Sequence, residues 1–132
     1  MLRLAARHAD IHRALALFLD WPRLDLAARH VLDRSGRWDG RHYGALAPAA
    51  EALATDYPDA ATILYRALLD DILKRAQSSA YAHAAAYLAQ LDSLAPRLTS
   101  AAVLPDHAAY RAALANAHAR KPAFWAQVRK RR

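Results

Sequence analysis

The chain has 132 residues, 55% of them hydrophobic, and no cysteine; that is about one domain, with no disulfide, thiolate zinc site or cysteine nucleophile. Its formal net charge of +7 is a property of one end: residues 1–119 hold 13 Lys and Arg against 12 Asp and Glu, whereas residues 120–132 hold six basic residues and no acid. No apolar run approaches the ~20 residues that cross a bilayer, and Arg3, Arg7 and Asp10 stand where a signal peptide has its apolar core, so the chain reads as soluble and cytoplasmic.

Alanine, the strongest helix former, dominates the composition, and no stretch alternates with the period of a strand. A first helix is predicted over 2–20, with Leu4, Ile11, Leu15, Phe18 and Leu19 apolar. Trp21-Pro22 ends it, because the residue before a proline avoids helical angles. A second helix runs from Pro22 to about Arg34, carrying Leu24, Ala27, Ala28, Val31 and Leu32, and Ser35-Gly36 stops it. After a turn at Trp38-Asp39-Gly40, a third helix spans about 42–55, with Tyr43, Leu46, Ala50 and Leu53 on one side and Pro48 early in its course.

The most regular stretch is 57–96. Pro58 suits a first helical position, and Asp59 complements the positive end of the helix dipole. Asp59, Thr62, Arg66, Asp70, Lys74 and Gln77 recur at steps of three and four, which reads as a solvated face. Ala61, Leu64, Leu68, Ile72 and Ala76 fill the opposite face. Ser78 and Ser79 break the run and offer a cap for the next helix. That helix carries Tyr81, Ala84, Leu88, Leu91 and Leu94 inward, with His83, Ala86, Gln90 and Ser93 outside. Beyond the irregular segment 97–104, Pro105-Asp106 starts a sixth helix to about Arg120, and Pro122 opens a short last one through Phe124, Trp125 and Val128.

The prolines expose a repeat. Pro22, Pro58 and Pro96 are separated by 36 and 38 residues. Tyr43 and Tyr81 each precede their proline by 15, Leu46 and Ala84 by 12, Ala50 and Leu88 by 8, and Leu53 and Leu91 by 5. Two helices per unit at this period is the signature of an αα solenoid. The expected fold is all-α, an αα-hairpin solenoid of about seven helices in antiparallel pairs, over a single domain 1–132 with a basic tail at 129–132. Its core is Leu64, Leu68, Ile72, Tyr81, Ala84, Leu88 and Leu91.

Ala84, Leu88, Leu91 and Pro96 resemble the second helix of a tetratricopeptide repeat, while the first helix of the pair departs from that pattern. The runs WDGRHYGALAPAAEAL, YPDAATILYRALLDDIL and HAAYRAALANAHARKPAFW resemble an uncharacterised bacterial family of helical domains. That resemblance implies a C-terminal helical domain, sometimes in proteins with a SWIM-type zinc finger, and no established activity. The leading half-repeat reads as the edge of a longer solenoid, which would let Leu2, Leu4 and Ile11 pair with a second copy of the chain.

Candidate chemistry is sparse. His8 and His12 are four apart, but a catalytic zinc helix places its general base at position 9, which here is Ala9. His83, His107 and His118 are far apart in the chain. Asp70 and Asp71 diverge by about 100° on a helix, so they form no carboxylate dyad; they fit i, i+4 pairs with Lys74 and Arg75 worth about 0.3 kcal/mol each. No serine elbow or phosphate loop is present. Tyr57, Tyr65, Tyr81 and Tyr87 suit core and groove walls, and Phe124 with Trp125 suits a solenoid cap.

The sequence therefore points to a non-enzymatic protein–protein interaction module without cofactor or metal. The alternative is nucleic-acid binding through Arg120, Lys121, Arg129, Lys130, Arg131 and Arg132, and an enzyme built on a histidine cluster is a distant third. The register makes one sharp prediction. Leu88→Ala costs about 2–5 kcal/mol of stability in denaturant unfolding, the sum of lost transfer energy and a cavity; a change below about 0.5 kcal/mol, ordinary for a surface site, contradicts the register.

Overall fold

Six α-helices account for most of the residues that the computed structural model describes, 24–34, 37–98 and 106–130. They are α1 (Leu24–Asp33), α2 (Tyr43–Leu53), α3 (Pro58–Lys74), α4 (Tyr81–Leu94), α5 (His107–Ala117) and α6 (Pro122–Lys130). Three 3₁₀ turns, Gly40–His42, Ser78–Ala80 and Ala95–Arg97, lead into or out of them. The chain is all-helical here, with no strand among the described residues. The helix expected over 2–20, with its exposed-end residues Leu2, Leu4 and Ile11 and its pair His8 and His12, lies outside the described residues, as does Ser35-Gly36.

Local chemistry sets the helix ends. Pro58 opens α3 with Asp59 in its first turn. At its other end Ala76 takes a left-handed conformation, φ 51°. The Gln77 N–H then donates to the Ile72 carbonyl and the Ala76 N–H to that of Leu73, both at 3.2 Å. This is a Schellman cap with alanine where glycine is the unstrained choice. The Asp106 carboxylate caps α5 by accepting from the Ala109 N–H at 2.8 Å. The cap expected from Ser78 and Ser79 does not form. Both belong to the 3₁₀ turn, and α4 starts at Tyr81, with Ala80 as N-cap and no side-chain cap. The tight reversal uses the backbone instead, the Ala80 N–H donating to the Gln77 carbonyl at 2.9 Å.

The packing centres on α3, which lies against α1, α2, α4 and the Gly40 turn, while α4 also packs on α6. Leu64, Leu68, Leu69 and Leu73 of α3 are buried with Leu46 and Leu53 of α2 and Leu88 and Leu91 of α4. Each such side chain contributes about 1.5–3 kcal/mol by leaving water. Ile72, Tyr81 and Ala84 are buried as well, and Phe124 of α6 closes over Tyr81 with ring centroids 6.0 Å apart. On α4, His83, Gln90 and Ser93 are exposed.

The polar face of α3 differs from its expected solvated state. Thr62 and Arg66 are buried, whereas Asp70 and Lys74 are exposed, and α5 meets this face through Tyr110. The Tyr110 hydroxyl donates to Asp70 Oδ1 at 2.6 Å, and the Arg66 guanidinium carbon stands 4.5 Å from the Tyr110 ring centroid. Burial and the neighbouring Asp70 carboxylate push the Tyr110 phenol well above its usual pKa, so it stays a donor. Asp70 thus serves an inter-helix contact rather than pairing with Lys74. The expected pair of Asp71 with Arg75 is present at 3.5 Å. Asp92 of α4 adds a second tie to α5, with His107 Nε2 at 2.7 Å and Arg111 Nε donating at 3.0 Å. Arg97, just beyond α4, donates to the Ala54 and Thr55 carbonyls at the end of α2.

Two substitutions test these local arguments. An ideal Cβ on Gly40 would sit 2.3 Å from the Ala67 carbonyl oxygen and 2.5 Å from the Asp71 Cβ, so Gly40→Ala is expected to cost about 1–3 kcal/mol through overpacking; an unchanged melting temperature contradicts that close approach. Ala76→Gly relieves the left-handed strain and is expected to gain about 0.5–1 kcal/mol. A loss of stability in the same unfolding assay contradicts the cap.

Candidate interaction groove

The segment Trp38-Asp39-Gly40 does more than turn the chain. Trp38 is buried, its indole N–H donates to the Val31 carbonyl at 3.2 Å, and its ring meets His30 edge-on at 5.4 Å. That contact anchors the corner to α1. Asp39 begins the 3₁₀ turn by accepting from the Arg41 N–H at 3.0 Å, and holds the Arg41 side chain through Nε at 3.1 Å and Nη2 at 2.9 Å. The Arg41 side chain and N–H hold the Asp39 carboxyl well below the usual carboxylate range. Gly40 then lies on the α3 backbone at Ala67, which brings the corner and the start of α2 beside the C-terminal half of α3.

Two open clefts flank this contact and share Gly40 and Asp71. The first, about 690 Å³, lies between the corner and α3 and is lined by Arg41, Asp70, Lys74 and Arg75 among others. The second, about 500 Å³, lies between the starts of α2 and α4 and the end of α3. Its walls are Tyr43, Leu68, Ile72, Gln77, Ser79, His83 and Tyr87. Tyr87 also packs on Tyr65, ring centroids 5.8 Å apart, and burial raises both phenols above their usual pKa.

Tyr43 is where the structure departs most from the repeat register. Leu46, Ala50 and Leu53 of α2 are buried as expected of that face, but Tyr43 is 69% exposed, whereas its counterpart Tyr81 is 7% exposed. Phe124 of α6 covers Tyr81. At the corresponding place beside Tyr43 there is the second cleft. The sequence register pairs positions along the chain without saying which neighbour stands over each. The signal available was the Asp39-Gly40 turn immediately before Tyr43.

The described basic residues of the C-terminal region stand at the two ends of α6. Arg120 and Lys121 lie in the turn before α6, and Arg129 and Lys130 lie in its last turn. The helical stretch 122–128 separates the two pairs by about 12 Å. Arg129 and Lys130 belong to the helix rather than to a free tail, and they complement the negative end of its dipole. Arg131 and Arg132 lie outside the described residues. The three downstream histidines are also apart in role. His83 is exposed at the second cleft, His107 is on Asp92, and His118 follows α5, where its carbonyl accepts from the Trp125 indole N–H at 3.0 Å. Burial and nearby Lys121 lower the His118 pKa. Among the described residues no three His, Asp or Glu side chains are grouped to hold a metal ion, and no helix is long and apolar enough to cross a membrane.

No curated protein and no solved structure matches the chain. A family model does match, over residues 1–127, described as a family of unknown function (DUF6880). The chain belongs to that family, which agrees with its resemblance to an uncharacterised one.

Proposed function

We propose that the chain is a non-enzymatic module for protein–protein interaction, a short tetratricopeptide-like array of antiparallel helical pairs acting in the cytoplasm. The observation that carries this reading is the groove formed by the two clefts, with Tyr43, a large side chain 69% exposed, at its mouth. Exposed aromatic side chains beside a concave, partly apolar surface are the usual anchors of protein recognition. The packing of α2 on α3 and α3 on α4, with next-but-one contacts of α1 with α3 and α4 with α6, supports a repeat array. The carboxylates that could serve chemistry are engaged in holding helices and turns, as Asp39, Asp70 and Asp92 are. The resemblance of the sequence to C-terminal domains of larger bacterial proteins, some with a SWIM zinc finger, fits the same role.

The rival reading, nucleic-acid binding through the basic C-terminal residues, is separated from this one by two variants. Replacing Arg129, Lys130, Arg131 and Arg132 by glutamine is expected to leave the melting temperature within about 2 °C, since surface changes are small, and to leave capture of the native partner intact. Tyr43→Ala is expected to keep the fold and to weaken that capture at least tenfold, as loss of an aromatic anchor does. The opposite pattern contradicts the proposal: capture lost with the glutamine variant, together with nucleic-acid affinity whose salt slope falls by about 0.7–0.9 per phosphate contact removed.

A further inference from the structure

The second cleft has a composition that defines what it takes. Its walls are two tyrosines, Tyr43 from α2 and Tyr87 from α4, over an apolar floor of Leu68 and Ile72. Asp71 is its one carboxylate; no lysine or arginine lines it, and His83 is its remaining titratable side chain. Aromatic faces carry negative quadrupole density and attract cations within about 6 Å, and a carboxylate held at 15% side-chain exposure adds charge where water screens it less. Asp71 already feels Arg41 and Arg75 from the neighbouring cleft, but one of its oxygens is left over. Its ion pair with Arg75 uses Oδ2 at 3.5 Å, long for a charge-assisted bond, and the Arg75 side chain is 46% exposed. Among the described residues Oδ1 carries no hydrogen bond.

We infer that this cleft binds a basic side chain, an arginine or lysine presented by a segment of the partner protein, stacked between Tyr43 and Tyr87 with its charge on Asp71. The inference rests on the interaction reading above and gives that partner a chemistry. The neighbouring cleft supports the assignment by contrast. It is lined by three carboxylates, Asp39, Asp70 and Asp71, together with Arg41, Lys74 and Arg75, so cations are already supplied there, whereas the tyrosine side has no lysine or arginine. Gly40 is what makes the arrangement compact. Its lack of a side chain lets the start of α2 close on Ala67 and Asp71 of α3, placing Tyr43 and the carboxylate at the same opening.

The test is a titration of the full chain with three probes, N-acetyl-arginine amide, N-acetyl-leucine amide and N-acetyl-glutamate amide, followed by NMR shifts of backbone amides. The arginine probe is expected to move Tyr43, Asp71, Ser79 and His83 saturably, with the leucine and glutamate probes at least about threefold weaker. Asp71→Asn and Tyr43→Ala should each weaken the arginine probe at least about threefold, while Tyr43→Phe, which keeps the ring, should retain it. Unchanged amide dispersion outside the cleft shows that the variants fold. Equal binding of the leucine probe overturns the cation assignment and leaves the groove as an apolar docking surface. No response at the cleft to any probe, with partner capture still sensitive to Tyr43→Ala, also overturns it while the interaction reading stands. Insensitivity of capture to Tyr43→Ala removes the interaction reading itself.

Discussion

The structure depends on α3 being enclosed on its apolar face and met by Tyr110 on its polar one. One face is the apolar stripe of Leu64, Leu68, Ile72 and their neighbours, which α2 and α4 enclose. The other carries Thr62 and Arg66, both buried, and Asp70, and Tyr110 of α5 meets Arg66 and Asp70 there. A buried guanidinium is costly unless its charge is met. Here the Tyr110 ring and the Asp70 carboxylate stand beside it, and Asp70 in turn accepts from the phenol. Arg66, Asp70 and Tyr110 therefore fix the place of α5, and the Asp92 contacts with His107 and Arg111 hold its first turns to α4.

With α3 fixed, the groove follows from how the chain approaches it. Trp38 ties the corner to α1, Gly40 sets the corner on the α3 backbone, and Tyr43 emerges at the first residue of α2. At the other end Ala76 reverses the chain sharply, so that Ser79, His83 and Tyr87 face the same opening. The second cleft is thus bounded by two turns and a helix end, each held by a specific close contact. A surface preformed in this way loses little conformational entropy when it is filled.

Much of the fold was legible from periodicity. On α4 the inward set of Tyr81, Ala84, Leu88, Leu91 and Leu94 and, of the outward set, His83, Gln90 and Ser93 follow from spacing, with Ala86 half-buried, because a helix packed on one side obeys a simple rule. The same rule fails for Thr62 and Arg66. Polar residues at helical spacing look solvated, and the ring beside Arg66 belongs to Tyr110, 40 residues beyond Asp70. Ser78 and Ser79 mislead for a related reason: a good capping residue is not used when a backbone turn already satisfies the chain. The site was the least legible part. Tyr43 and Tyr81 hold the same place in the sequence pattern, and only the three-dimensional neighbourhood, Phe124 over one and a cleft beside the other, distinguishes core from exposed surface. The basic tail was legible as charge, but not its division between the two ends of α6.

Native-state hydrogen exchange tests the central claim most directly. If α3 is the enclosed centre of the packing, the amides from Leu64 to Leu73 are the slowest in the chain and exchange only through global unfolding, with the free energy found in denaturant unfolding. Amides of α5, which buries only Tyr110 and Leu114, then exchange faster through local opening. Amides of α3 that exchange together with those of α5, at a free energy well below global unfolding, would contradict the account.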